Sequence, residues 1–200
     1  MTIRDAYRRI IEYSPPQEYT NFSVTYRMST PLSLGHPWIN GDGLVAQVLL
    51  RRLLGDLFMS LPSKNPIDIS ALKLPLDQSY GCWHCSVSQF DQEAQMAVTK
   101  IYGRFDSFNI DHCTTKKKRI PIVAGHYKSR MVSLPILSTK TVTFYVRGNL
   151  DECKWIFGSV PNLGKDRGKG YGQIESMKIE ETPEDWSMFR DSVVMRPIPL

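Results

Sequence analysis

Long hydrophobic runs are missing from this sequence of 200 residues. The longest apolar stretch, GLVAQVLL at 43–50, is far shorter than the roughly 20 residues that a membrane-spanning helix needs. The first residues, MTIRDAYRRIIEYSPP, carry charges throughout, whereas a secretory signal peptide has an uncharged apolar centre. We therefore expect a protein without membrane association that works in the cytoplasm, where disulfides are rare.

Cysteine is scarce as well, with four residues in the chain. Cys82 and Cys85 form one C-x-x-C pair, and no second pair accompanies them. A structural zinc site needs four ligands, so Cys82, Cys85 and Cys113 are candidate metal ligands without a complete set. The alternative is that these thiols are buried in the core, because Trp83, Cys85 and Val87 alternate as strand residues do. We expect no bound cofactor.

Motifs for nucleotide binding and hydrolysis are absent too. The glycine loop (residues 161–173) is rich in glycine and basic residues, but three residues separate Gly164 from Gly168 where a Walker A loop has four. Its glycines then read G-x-G-x-G instead of the dinucleotide fingerprint G-x-G-x-x-G. The sequence shows no Ser-His-Asp or paired-carboxylate pattern either. A phosphate ligand of another kind is still indicated, because glycine lets backbone N–H groups approach an anion.

Positive charge is moderate in amount but uneven in position, with a net charge of +5 and a pI near 9.0. The N-terminal half mixes its charges, whereas lysines and arginines cluster from residue 116 onward. The clusters comprise Lys116, Lys117, Lys118, Arg119, Lys128 and Arg130, and then Lys165, Arg167 and Lys169. Such clusters beside a glycine-rich loop favour a polyanionic partner, and the alternative is an ordinary solvated surface.

Hydrophobic periodicity predicts an α+β fold. Phe22, Val24, Tyr26 and Met28 alternate with polar residues, which indicates a half-buried strand, and leucines at helical spacing follow between 44 and 57. In chain order, the predicted elements are strand 20–29, helix 40–58, strand 82–90, strand 141–148, helix 149–158 and strand 171–181. This βαββαβ order is the ferredoxin-like arrangement, in which two helices cover one face of a four-stranded antiparallel sheet.

The whole chain, residues 1–200, is predicted to be a single domain with one large insertion. Residues 91–130 show no steady period and lie between the second and third strands; their first part favours either a short helix or an extended arm. The segment 130–138 is predicted to be an edge strand, because Pro135 lacks a backbone N–H. Residues 181–200 are predicted to be a C-terminal tail that packs on the body.

The glycine loop resembles the G-loop of the RAMP proteins, the repeat-associated RNA-binding superfamily of CRISPR systems. LGKDRGKGYGQI, at 163–174, has the Gly-Lys entry, the basic residues and the Gly-Tyr-Gly exit into a strand that mark this loop. Three shorter pieces, INGDGLVAQVLL at 39–50, GHYKSR at 125–130 and MRPIPL at 195–200, resemble the small subunit of type IV CRISPR effector complexes that binds the 5′ handle of CRISPR RNA.

The resemblance implies that the protein binds RNA mainly through the sugar-phosphate backbone of the RNA. The implied RNA-binding residues are Lys165, Arg167, Gly168, Lys169, Gly170, Tyr171, Lys116, Lys117, Lys118, Arg119, Lys128 and Arg130. The basic side chains neutralise phosphates, the N–H groups of Gly168 and Gly170 reach backbone oxygens, and Tyr171 stacks on a base or packs under the loop. The insertion at 91–130 acts as a thumb that separates nucleotides at the junction of handle and spacer. The implied partners are CRISPR RNA, backbone RAMP subunits, a large subunit and, through the complex, target DNA.

Catalysis is an alternative, because some relatives cleave CRISPR RNA. Metal-free cleavage uses a base and an acid, and His126 and Lys128 in GHYK are the candidates. A type IV system carries a separate processing nuclease, so we expect a non-catalytic role. Two further alternatives are an RNA-recognition domain outside CRISPR, whose two strand motifs are missing here, and a metabolic ferredoxin-like enzyme, for which the sequence offers no catalytic constellation.

Overall fold

The computed structural model describes residues 3–60, 69–103 and 128–197. Its helices are α1 Ile3–Glu12, α2 Gly41–Leu54, α3 Leu57–Ser60 and α4 Leu150–Gly158. Its strands are β1 Thr20–Met28, β2 Leu32–Ser33, β3 Gln78–Ser79, β4 Cys82–Trp83, β5 Gln89–Phe90, β6 Gln95–Gly103, β7 Arg130–Ser138, β8 Thr141–Gly148, β9 Ile174–Glu181, β10 Phe189–Arg190 and β11 Val193–Val194. Within these ranges, no helix has the length and apolar character needed to cross a bilayer.

The main sheet has four antiparallel strands in the order β5-β8-β1-β9. Counted along the chain, these are the second, third, first and fourth strands of a βαββαβ unit whose helices are α2 and α4. This connectivity is that of the ferredoxin-like fold, so the α+β prediction is confirmed. The glycine loop joins α4 to β9 and therefore lies at one end of the sheet.

One face of the main sheet packs against the helices. The alternation in β1 places Phe22, Val24 and Tyr26 on that face, where all three are fully buried. Tyr26 also donates a hydrogen bond from its hydroxyl to the carbonyl of Phe157 in α4, at 2.8 Å. Burial of each large apolar side chain contributes about 1.5–3 kcal/mol, so this layer fixes α4, and with it the start of the loop that follows, on the sheet.

The first helix of the unit is shorter than its leucine pattern predicts. It ends at Leu54, because Gly55 takes a positive φ of 55° and its N–H closes on the carbonyl of Arg51. The second helix begins as predicted, since Asn149 caps it by accepting the Glu152 N–H at 3.0 Å.

The predicted strand at 82–90 is broken into two short strands. Its first part, β4, pairs with β3 across a tight turn in which Tyr80 and Gly81 both have positive φ. Its last part, β5, pairs with β8 in the main sheet. Between them, the side-chain hydroxyl of Ser86 accepts the N–H of Tyr145 at 2.9 Å, so a side chain replaces part of the backbone ladder. The Ser86 carbonyl accepts instead from the N–H of Gly41 at 3.2 Å, and this departure from the ladder separates β4 from β5.

The first part of the predicted insertion forms β6, which pairs with β7 into a two-stranded arm, so this part is an extended segment and not a helix. Strands β6 and β7 pair along nine residues each, from Gln95↔Ser138 to Gly103↔Arg130. The prediction that 130–138 is an edge strand is wrong, because β2 pairs on its other side and makes β7 the middle strand. Pro135 has no backbone N–H to donate to a neighbouring strand. Its position in β7 is tolerated because β2 pairs only with Ile136 and Leu137 and does not extend to Pro135.

Two arginines, Arg190 and Arg196, help to hold the C-terminal tail on the body, as far as residue 197. Arg196 donates to the carbonyl of Trp83 and, at 3.1 Å, to the carboxylate of Asp42 in α2. Arg190 lies over the rings of Tyr145 and Trp186, at 5.1 and 4.6 Å from their centroids. The tail therefore covers part of the sheet face that the helices leave open.

Candidate nucleic-acid interface

The glycine loop is docked on the segment around β2. The N–H of Lys165 donates to the carbonyl of Ser33 at 2.7 Å, and the N–H of Gly172 donates to the carbonyl of Pro31 at 2.8 Å. The loop also closes on itself, because the N–H of Leu163 donates to the carbonyl of Gly172 at 2.8 Å. Both ends of the loop are thus fixed, and the residues between them are held in a defined arch.

The glycines of the loop serve two different purposes. Gly164 and Gly172 have φ of 77° and 69°, and a Cβ on them would lie 2.5 Å from the carbonyl oxygen of Ser33 and 1.8 Å from that of Leu163. These two glycines therefore permit the close backbone approach that docks the loop. Gly168 and Gly170, in contrast, have nothing within 4 Å of a Cβ position. The crown of the loop thus faces open space.

The crown carries exposed positive charge. Arg167 and Lys169 are exposed within a short 3-10 turn, and Lys165 is exposed just before it. The Lys169 ammonium pairs with Asp166 at 2.6 Å, and this hydrogen bond is the main reason that the pKa of the Asp166 carboxyl lies below its ordinary value. The other carboxylate oxygen of Asp166 accepts from the Ser33 hydroxyl at 3.1 Å. Lys169 is therefore partly neutralised by its neighbour, and Arg167 and Lys165 are the stronger candidates for phosphate contact.

Two further residues of the loop have defined surroundings. The N–H of Gly170 donates to the carbonyl of Arg167 at 3.0 Å, so in this structure it is engaged within the turn and does not point to a ligand. Tyr171 is partly buried, which is compatible both with stacking on a base and with packing under the loop.

Lys128 and Arg130, the described residues of the first basic cluster, do not lie beside the glycine loop. Arg130 pairs with Gly103 at the outer end of the arm, whereas the loop docks near Ser33, which pairs with Ile136. Six residues of strand separate Arg130 from Ile136, which corresponds to about 20 Å. Lys128 is exposed beyond the same end of the arm. The other predicted residues of this cluster lie outside the described residues, and so do Cys113 and His126. These other residues are Lys116, Lys117, Lys118 and Arg119.

The cysteine pair lies in the interior. Cys82 and Cys85 are both buried, and Cys85 Sγ would be 2.3 Å from a Cβ on Gly41 of α2. Burial raises the pKa of the Cys85 thiol well above its ordinary value, which disfavours the thiolate that a metal requires. Among residues 3–60, 69–103 and 128–197, no group of three or more His, Cys, Asp or Glu side chains is placed to hold a metal ion.

A polar cluster that the sequence analysis missed joins the tail to the β3–β4 turn. His84 Nε2 lies 2.6 Å from the hydroxyl of Ser79, and Nδ1 lies 2.6 Å from a carboxylate oxygen of Asp185. The N–H of Ser187 donates to the other oxygen of Asp185 at 2.9 Å. Burial alone would raise the pKa of the Asp185 carboxyl, but the hydrogen bonds from Ser187 and His84 together lower it.

The side chains of Ser79, His84 and Asp185 form a Ser-His-Asp arrangement. The sequence showed no such pattern. His84 and Asp185 are 101 residues apart, so no local spacing could have indicated it. The side chains of His84 and Asp185 are only 13% and 24% exposed. The cluster's contacts fasten the start of the tail to the body, since Asp185 and Ser187 both contact His84.

Comparison with solved structures finds a likeness to a chain in the cryo-EM structure of the type III-B Cmr-beta complex bound to cognate target RNA. The two chains share 14% sequence identity with a TM-score of 0.47, and the match covers 90% of this chain and 66% of that chain. At this similarity the likeness carries no argument about function. No protein-family profile matches the chain, and no curated protein matches it.

Proposed function

We propose that this protein is a non-catalytic RNA-binding subunit of a CRISPR ribonucleoprotein of the RAMP type. In this role the glycine loop holds the sugar-phosphate backbone of the 5′ handle of CRISPR RNA. The finer assignment is the small 5′-handle subunit of a type IV effector complex, working in the cytoplasm beside backbone RAMP subunits and a large subunit. Target DNA is reached through the complex.

One observation carries the proposal: a docked glycine loop presents exposed cations at the end of a ferredoxin-like sheet. Lys165 and Arg167 precede an open crown at Gly168, so a phosphate chain can approach the loop there without meeting a side chain on that residue. Exposed cations on a docked loop bind phosphate oxygens, and such contacts position a nucleic acid without reading its sequence. The resemblance of LGKDRGKGYGQI to the RAMP G-loop supports CRISPR RNA as the ligand of this loop.

The open face of the sheet is less suited to RNA than the loop. RNA-recognition domains stack bases on aromatic residues of the central strands. Here Tyr26 lies on the helix-covered face and is fully buried. Tyr145 is on the other face of its strand, but Arg190 and Trp186 of the tail lie against its ring. The structure therefore favours the loop over the sheet as the RNA contact.

Replacing Lys165 and Arg167 together by alanine is expected to weaken RNA binding by about 100-fold or more, since each charged hydrogen bond contributes about 1.5–3 kcal/mol and every 1.4 kcal/mol is a factor of about ten. Binding of a fluorescent RNA that carries the repeat-derived handle is measured by anisotropy between about 50 and 200 mM salt. Loss of two phosphate contacts should reduce the slope of log affinity against log salt by about 1.4.

The matched control removes the same charge elsewhere. Arg8 and Lys154 are exposed side chains of α1 and α4, with 76% and 52% of their surface accessible. The variant Arg8→Ala/Lys154→Ala should bind RNA like the parent protein. Equal affinity and equal salt slope for the loop variant and the parent would refute the loop as the RNA contact.

A further inference from the structure

An apolar cavity lies beside the glycine loop, between the segment that follows β2 and the base of the arm. Its volume is about 350 Å³, within the range of about 300–1,000 Å³ that is usual for small-molecule sites. Its walls are formed mainly by Leu34, His36, Pro37, Phe90, Met96 and Ile136. Two of these residues, Phe90 and His36, carry flat aromatic rings.

A cation of the glycine loop lies at the rim of this cavity. Gly35 is one of its lining residues, and a Cβ on Gly35 would be 2.0 Å from Lys165 Nζ and 2.2 Å from Lys165 Cε. The missing side chain at Gly35 therefore lets Lys165 lie flat across this segment. Since the backbone of Lys165 is fixed on Ser33 at 2.7 Å, the ammonium is held near the cavity by a docked main chain.

The pairing of an apolar cavity with a cation at its rim matches the chemistry of a single unstacked nucleotide. A nucleobase has two apolar faces, and its phosphate carries a negative charge on a short tether. Stacking on flat side chains tolerates every base, because each base has a π-face. An aliphatic side chain from a protein partner would fill the cavity equally well, but it would bring no anion to the Lys165 ammonium at the rim.

We propose that this cavity takes one unpaired nucleobase of the bound RNA while Lys165 contacts the adjoining phosphate. The proposal rests on the RNA-binding function above and adds a base-binding pocket to the backbone contacts of the loop. It assigns the arm a role at its base, where Met96 forms one wall of the pocket. Backbone contact and base capture then occur side by side, so the site selects single-stranded over paired RNA.

The test compares two chains of about ten nucleotides, an oligouridine and the same ribose-phosphate backbone without bases. Both chains carry the same phosphates, so the ratio of their affinities isolates the bases. For the full-length parent protein, the oligouridine should bind about 10-fold more tightly. Met96→Ala and Phe90→Leu should each lower this ratio by about 3-fold or more and leave the affinity for the abasic chain unchanged.

Two control variants make the outcome specific. Met131→Ala removes another exposed methionine from the same arm, since Met96 and Met131 are 72% and 58% exposed, but Met131 does not line the cavity. It should leave the ratio unchanged. Lys165→Ala should weaken binding of both chains by the same factor. Because Met96 is exposed, its truncation keeps the test valid even if Phe90→Leu fails to fold.

The outcomes separate this proposal from the function on which it rests. If Lys165→Ala weakens binding of both chains but Met96→Ala and Phe90→Leu leave the ratio at the parental value, the cavity holds no base and only the pocket is refuted. A protein partner's side chain is then the better occupant. If the parent protein binds neither chain, the proposed function fails, and the pocket fails with it.

Discussion

Gly172→Ala is expected to destabilise the protein by about 3 kcal/mol or more, which for a chain of this size lowers the melting temperature by about 6–12 °C. A Cβ at this position would lie 1.8 Å from the carbonyl oxygen of Leu163 and 2.9 Å from its carbonyl carbon. Backbone atoms cannot move aside as a flexible side chain would, and the φ of 69° adds a penalty of about 1–2 kcal/mol. Thermal unfolding followed by circular dichroism measures the effect.

Gly172→Ala should also weaken RNA binding, because it separates the two ends of the glycine loop, which the hydrogen bond between Leu163 and Gly172 joins. Gly168→Ala is the matched control: it lies in the same loop, its φ is not in the left-handed region, and nothing lies within 4 Å of its Cβ position. Its melting temperature should match that of the parent. Equal melting temperatures for the two variants would contradict the docked loop.

Arg196→Met is expected to cost about 2 kcal/mol, because it leaves the Asp42 carboxylate in a largely buried position without its partner. The two side chains are only 14% and 21% exposed, and Arg196 also donates to the carbonyl of Trp83. Removing one member of a fully buried pair costs about 3–5 kcal/mol, and the remaining exposure reduces that figure here. Urea unfolding measures the free-energy difference.

Arg27→Met provides the comparison, since it removes the same side chain from an exposed ion pair. Arg27 and Glu175 lie 2.9 Å apart, but their side chains are 69% and 53% exposed. An exposed pair of this kind contributes at most about 1 kcal/mol. If Arg27→Met proved as destabilising as Arg196→Met, the anchoring of the tail through Arg196 would be wrong.

Local signals in the sequence predicted the elements that depend on local physics. The alternation in β1 and β8 and the Asn149 cap of α4 follow from side-chain spacing within a few residues, and all three are present in the structure. Helix α1 was not predicted, although Ala6 and Ile10, both fully buried, stand four residues apart as on one face of an amphipathic helix and could have indicated it. The position of β7 depends on β2, a strand of two residues that no periodicity reveals.

The candidate site was predictable in composition but not in arrangement. The glycines and cations of the loop are legible in the sequence, whereas the division between docking and crown glycines depends on contacts with Ser33 and Leu163. The Asp166–Lys169 pair likewise follows from the fold of the turn. Contacts between distant segments, such as Asp42 with Arg196 across 154 residues, leave no trace in local patterns.

Photo-crosslinking of the protein to a 4-thiouridine RNA with the repeat-derived handle tests the central claim most directly. The crosslinked peptides are identified by mass spectrometry. The account predicts that they include the glycine loop at 161–173 and the neighbouring segment around Gly35, and that Lys165→Ala/Arg167→Ala reduces their yield. Crosslinks confined to the open sheet face around Tyr145, with none at 161–173, would contradict it.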